Sequence, residues 1–288
     1  MNHDDWASFA VFSPDGKYVI SGNDDGTIRV WEAATGAEIA RMTHDGVVYA
    51  KAFSSDGRYM VLGSDDYTAR VWEIDTGKEM SSIKHEGPVA SVAFSPNGEY
   101  VVSGSDDNTV RVWNAASGEE ISRMTHEGWV SDVAFSPDGK YVISGSYDRT
   151  ARMWEAATGK EIARTIYADA VTHIAFSPDG KYWAAEGDNS LWIWDAARVG
   201  VMQMPREDQV SYVAFSPDSR YVVSLGDDDT ARVWEIATGV EIAHMIHKDI
   251  LYIVVFSPDG KYVVTEGKDN TARIWETATG EEIASMTH

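Results

Sequence analysis

The sequence predicts an all-β fold assembled from seven copies of one four-stranded antiparallel unit. Three observations carry this reading. The segment Phe-Ser-Pro-Asp-Gly-Lys-Tyr, or a close variant, begins at Phe12, Phe53, Phe94, Phe135, Phe176, Phe215 and Phe256, in steps of 41, 41, 41, 41, 39 and 41 residues. A tryptophan follows in every copy, at Trp31, Trp72, Trp113, Trp154, Trp194, Trp234 and Trp275. Connections between the apolar runs stay at three to six residues, too short for the crossover helices that parallel strands require.

The second copy illustrates the elements in order. Residues 47–53 form an apolar run interrupted by Lys51 and read as a first strand; Asp56-Gly57 then turns the chain, because glycine takes a positive φ at no steric cost. A second strand is expected over 59–63 and a turn at Asp65-Asp66-Tyr67. A third strand follows over 68–72, rich in the β-branched and aromatic residues that suit a pleated surface. Thr76-Gly77 leads into a fourth strand over 79–83. The stretch Glu-Ala-Ala-Thr-Gly, the competing helical candidate, is too short to hold a helix alone. The units run over residues 3–43, 44–84, 85–125, 126–166, 167–205, 206–246 and 247–288, so a single domain of seven units uses the whole chain.

Composition narrows the function. An apolar fraction of 43% with 11% aromatic residues fills a large core. The 24 basic and 46 acidic residues give a net charge of −22, which repels phosphate backbones and argues against nucleic acid. The absence of cysteine excludes disulfides, thiolate metal sites and thiol catalysis. With no 18-residue apolar run and no signal-like N-terminus, the chain reads as cytoplasmic and without a membrane partner.

One four-stranded sheet cannot bury both its faces, whereas seven packed radially can. This spacing and composition resemble the WD40-repeat family of bacterial type, which implies a seven-bladed β-propeller with one blade per repeat. The name-giving dipeptide departs: only Trp194-Asp195 is Trp-Asp, five repeats read Trp-Glu and one reads Trp113-Asn114. The resemblance further implies a structural tetrad in each blade, a hydrogen-bonded chain of His, Ser or Thr, Asp and Trp. It maps onto His3, Ser21, Asp25 and Trp31; His85, Ser103, Asp107 and Trp113; His126, Ser144, Asp148 and Trp154; and His247, Thr265, Asp269 and Trp275. Repeat two keeps His44, Asp66 and Trp72 with Leu62 in the Ser place, and repeat six keeps Ser224, Asp228 and Trp234. Repeat five retains Asp188 and Trp194, with Tyr167 in the His place, and is expected to be the least internally tied. Because these residues recur once per blade, they lie too far apart to share a metal; no metal, cofactor or catalytic residue is expected.

The resemblance also implies a binding face on the loops before the first strand and between strands two and three. The exposed positions there hold Trp6, Phe9, Tyr49, Trp129, Tyr147, His173, Tyr212 and Tyr252, with the carboxylates Asp24, Asp65, Asp106, Asp132 and Asp227. Unlike the framework, these positions differ from copy to copy. Aromatic side chains under a negative potential suit a segment carrying Lys or Arg, through ion pairing and cation–π contact. The expected function is a non-catalytic protein- or peptide-binding scaffold. The alternatives are a sensor or autoinhibitory domain of a larger signalling protein and, less favoured, a propeller enzyme using the central funnel. His173 has no tetrad duty and is free in this reading to titrate.

The register at the ends predicts that every blade is built from contiguous chain, without the strand exchange that latches most members of the family. Met286-Thr287-His288 repeats the usual lead-in to another unit and hints at an array taken from a longer protein. In a ring closed by side chains alone, amide exchange is fastest over residues 3–12 and 281–287; uniform protection across all seven units would refute that closure.

Overall fold

A computed structural model describes residues 7–187, 190–196, 201–205 and 210–287. Its first sheet holds β1 (Ala7–Phe12), β2 (Tyr18–Asn23), β3 (Thr27–Glu32) and β4 (Glu38–Thr43), hydrogen-bonded in chain order. The pattern recurs through to β28 (Glu282–Thr287), giving seven antiparallel four-stranded sheets and no helix among the described residues. This is the seven-bladed propeller class, and each sheet is drawn from contiguous sequence. In the second repeat the strands are Val48–Phe53, Tyr59–Ser64, Thr68–Glu73 and Lys78–Lys84, within a residue or two of the expected bounds. The fifth blade differs, its first strand being cut to Ile174–Phe176.

The chain forms two compact units, Met1–Asp148 with Arg152–Arg164, and Arg149–Ala151 with Thr165–His288. Within each unit the core lies between neighbouring sheets. Val61, Val71 and Ile83 of the second sheet pack with Val89, Val101 and Trp113 of the third, and Trp113 is completely buried. In the second unit Val223, Val233 and Met245 meet Leu251, Val263 and Trp275 in the same way. Close approach explains the glycine at the fifth place of the second strand, Gly22, Gly63 and Gly104: a Cβ at Gly104 would stand 2.7 Å from Val130 Cγ1. Burying a side chain of this size stabilises by about 1.5–3 kcal/mol.

A buried indole N–H needs an acceptor, and the tetrads supply one. In the third blade Trp113 Nε1 donates to Ser103 Oγ at 3.3 Å, while His85 Nε2 lies 2.8 Å from the same oxygen. His85 Nδ1 lies 2.9 Å from Asp107 Oδ2. The fourth blade repeats this with Trp154 to Ser144 at 2.8 Å, His126 to Ser144 at 2.7 Å and His126 to Asp148 at 2.9 Å. In the seventh, Trp275 and His247 each lie 2.7 Å from Thr265 Oγ1, and His247 lies 3.4 Å from Asp269. Trp31 donates to Ser21 at 2.7 Å and Trp234 to Ser224 at 3.1 Å. His3 and Asp188 lie outside the described residues.

Two further members extend the chain. Asp107 accepts from Thr109 Oγ1 at 2.6 Å and pairs with Arg111 Nη2 at 3.0 Å, and Arg111 Nη1 donates to the Lys84 carbonyl at 2.9 Å. Residues two and four positions apart on one strand share a face, so Asp-x-Thr-x-Arg places all three together. The Arg–Asp pair recurs at Arg70–Asp66, Arg152–Asp148, Arg232–Asp228 and Arg273–Asp269.

Blades two and five depart from the tetrad in different ways. In blade two the fully buried Leu62 leaves His44 Nε2 and Trp72 Nε1 without partners, although His44 Nδ1 still meets Asp66 at 3.0 Å. In blade five the buried Tyr167 fills the gap itself, its Oη accepting from Trp194 Nε1 at 3.4 Å, and Trp183 stacks on Trp194 with centroids 5.4 Å apart.

Burial pushes the imidazoles of His44, His85, His126 and His247 below their ordinary value, against the pull of their Asp partners. Burial alone would raise the Asp107 carboxyl, but hydrogen bonds from His85, Thr109 and the Glu86 N–H outweigh it and hold it well below the usual range. Both shifts leave the folded chain with fewer protons than the unfolded one, so stability is full above about pH 6.5 and falls as the pH drops below it. Replacing His85 and His126 by Gln is expected to flatten the dependence of the urea midpoint on pH between about 6.5 and 5; an unchanged slope refutes the neutral imidazoles. A second comparison isolates the indole bond. Trp154→Phe removes a satisfied N–H and Trp72→Phe an unsatisfied one, so Trp154→Phe is expected to cost about 1–2 kcal/mol more in urea unfolding.

Candidate functional site

The tetrad aspartate fixes the loop that carries the candidate site. Asp66, Asp107 and Asp148 each accept the backbone N–H of the residue that follows the tetrad histidine, Asp45, Glu86 and Glu127, at 3.2, 3.0 and 2.9 Å. The residue before the aspartate then bonds back to the loop ahead of the first strand. Asp65 N–H donates to the Val47 carbonyl, Asp106 to Pro88, Tyr147 to Trp129 and Lys268 to Ile250. The loop ahead of the first strand and the turn between strands two and three are thus backbone neighbours. A Cβ at Gly128 would stand 2.8 Å from Asp148 N, which explains the glycine between them.

A β-bulge sets the exposed position within the first strand. Val48 opposes Ser64 and Ala50 opposes Gly63, leaving Tyr49 out of register. The same slip falls at Ser131 between Val130 and Asp132, and at Tyr252 between Leu251 and Ile253. A bulge bends the strand and re-aims the extra side chain, and Tyr49 and Tyr252 emerge 57% and 59% exposed.

In the first unit, three blades converge on Tyr49. Its phenol lies 3.4 Å from Asp65 Oδ2. Partial burial raises the pKa of the phenol, and the charges of Asp65, Asp106 and Asp24 raise it further. The Asp106 carboxyl is itself pushed up, by burial and by the charge of Asp107 beside it. Trp129 and Tyr147, each 54% exposed, meet edge-on with centroids 5.8 Å apart. Asp132 is held inward, accepting from Ser91 Oγ at 2.8 Å and from the Val133 N–H at 2.9 Å. Phe9 turns away from the face. It is partly buried in the core between the first two sheets, against Gly22 and beneath the Lys51 ammonium at 4.6 Å. Lys51 carries a lowered pKa from burial.

In the second unit, Tyr252 is exposed beside Ile250 and Ile253, and Asp227 is exposed. His173 Nδ1 lies 3.1 Å from Glu186 Oε1, and the same oxygen accepts from Thr172 Oγ1. Its ring meets Tyr212 edge-on at 6.1 Å. Glu186, almost fully buried, stands where Gly22, Gly63, Gly104 and Gly145 stand in the first four repeats, the one signal by which the sequence marks it. Trp6 lies outside the described residues. No group of three or more potential metal ligands occurs among the described residues.

The model of the IFT122 first beta-propeller matches residues 47–239, more than half of the chain, and that of the WD domain, G-beta repeat, matches residues 2–32 and 241–276. The chain belongs to the WD40-repeat β-propellers. Its fold is similar to that of the computationally designed Ika8 protein, at a TM-score of 0.84 and 29% identity over 99% of this chain and 88% of that one. A 40-residue segment is 50% identical to Protein ANTHESIS POMOTING FACTOR 1 of Arabidopsis thaliana, covering 14% of this chain and 12% of that protein. WD40 propellers generally bind protein partners and are typically non-enzymatic. No helix among the described residues is long and apolar enough to cross a membrane.

Proposed function

We propose that this chain is a non-catalytic scaffold whose loop-bearing face takes protein segments carrying Lys or Arg. The observation that supports this is the placement of Tyr49 within the field of Asp24, Asp65 and Asp106, which come from three successive blades. A lysine or arginine head entering there neutralises like-charge repulsion already present in the free protein. The phenol offers its face to the same cation, a contact worth about 0.5–2 kcal/mol depending on desolvation. The Trp129–Tyr147 pair supplies the rigid aromatic surface on which binding energy usually concentrates. Tyr252 is the corresponding anchor of the second unit.

The charge on Asp106 sets a direction for pH. Its carboxyl titrates above the usual range, so capture of a basic segment strengthens as the pH rises through that titration. The first experiment is a peptide array read at low and moderate salt. Capture of Lys/Arg-rich segments is expected, weaker at moderate salt. Tyr49→Ala, Trp129→Ala and Tyr252→Ala are each expected to weaken it by about 1–4 kcal/mol. Asp106→Asn is expected to flatten the salt dependence. Affinity unchanged in all three aromatic variants refutes the proposal.

A further inference from the structure

The seam between the second and third sheets is where one repeat departs from the others in three places at once. A cavity of about 320 Å³ opens there, walled by Tyr59, Val71 and Met80 on one side and by Glu99, Tyr100 and Asn114 on the other. Two seam cavities of the second unit, of about 230 and 220 Å³, are lined by mixed charges: Arg220, Lys261 and Glu276 in one, Lys181, Arg220 and Glu235 in the other.

The local chemistry follows from the turn after each repeat phenylalanine. Where the turn reads Asp-Gly-Lys it neutralises itself, with Lys17–Asp15 at 2.8 Å, Lys140–Asp138 at 3.2 Å, Lys181–Asp179 at 2.9 Å and Lys261–Asp259 at 3.5 Å. The third repeat reads Asn97-Gly98-Glu99 instead. Asn97 Nδ2 donates to Glu99 Oε2 at 2.8 Å, a neutral donor in the place of a lysine's partner. The acid that follows the tryptophan elsewhere is Asn114 here, and its Oδ1 is spent on the Ala116 and Ser117 N–H groups. The wall thus keeps one carboxylate among two phenol rings, a thioether and a valine. Arg58, whose guanidinium lies 5.4 Å over the Tyr59 ring, is not part of the lining.

We propose that this cavity is a second binding site, taking a small organic cation in which a primary ammonium is joined to an aromatic or aliphatic body. Its volume lies at the lower end of small-ligand sites, which are mostly apolar with a few placed polar groups. Glu99 pairs with the ammonium, and Tyr59, Tyr100 and Met80 enclose the body. Independent drift scatters changes over a surface. Here the exchanges at 97, 99 and 114 together replace a rim of paired acids and bases by a single carboxylate with no cation in the lining.

The probe is phenethylamine, titrated into the full chain carrying ¹³C-labelled methionine methyls. A saturable shift of the Met80 methyl is expected. Phenethyl alcohol, of the same shape without the charge, is expected to bind at least about tenfold more weakly, the effect of one charge-assisted hydrogen bond. Glu99→Lys installs the residue that the chain itself carries at Lys17, Lys140, Lys181 and Lys261, so the fold is retained, as an unchanged urea midpoint will verify. That variant is expected to lose affinity for the amine by at least about tenfold. Equal binding of amine and alcohol, equal binding by Glu99→Lys, or a Met80 methyl that does not move at millimolar amine overturns the site. Trp129→Ala is expected to leave this binding unchanged, which keeps the cavity separate from the peptide-binding face; loss of the amine in that variant assigns it to that face and overturns the proposal.

Discussion

A tryptophan indole buried between two sheets carries one N–H that must find an acceptor, and much of the blade is arranged around that need. The hydroxyl of Ser103 or Ser144 accepts it, and the hydroxyl then donates to the imidazole. The imidazole donates to an aspartate, which also gathers a threonine hydroxyl, backbone N–H groups and an arginine. The chain therefore runs from the core to the loop and sets the loop's shape. Blade two tolerates a break, with Leu62 filling the space by apolar packing, and blade five rewires it through Tyr167. The requirement is on the indole environment more than on any single partner.

The same arrangement separates two kinds of carboxylate. Asp106 and Asp107 are adjacent in sequence, yet their acidities move in opposite directions. Asp107 is saturated with donors and paired with Arg111, so its charge is consumed within the blade. Asp106 has burial and a negative neighbour instead, and its charge is felt at the exposed Tyr49. An overall charge of −22 says little about where a cation is attracted. The distinction between these neighbours says more, because only the uncompensated member contributes a field at the surface.

The repeat and the four strands per unit were legible in the sequence, because each rests on a fixed period and on residue types with strong local preferences; the tetrad positions came from the family resemblance. Glycine at 57 and 77 turns the chain with a positive φ, and the alternation in Tyr59–Ser64 places one face inward. Backbone slips were not legible. A bulge at Tyr49 or Tyr252 adds a residue without changing the apolar count, and it re-aims the neighbouring side chains. Phe9 shows the result: its position in the repeat suggested the surface, but the ring fills the space left open by Gly22. Thr109 and Arg111 stood at constant spacing from Asp107, and the same spacing recurs in five other repeats. Their role became visible only with the strand geometry that puts all three on one face. Glu99 is a single exchange against the chain's own pattern and Glu186 the first of three at its position, before Leu225 and Glu266, and their meaning depends on neighbours distant in sequence.

Each sheet closes its hydrogen bonding within one contiguous stretch of chain, from β1–β4 (Ala7–Thr43) to the last sheet ending at Thr287. This has a genetic consequence. A duplication or deletion of one repeat-length stretch of coding sequence adds or removes a complete sheet and orphans no strand, wherever the crossover falls within the repeat. Because neighbouring copies are close in sequence, unequal recombination between them stays in register. Such a chain can change its number of blades in a single event, and a newly copied blade is free to acquire local exchanges like those of the third.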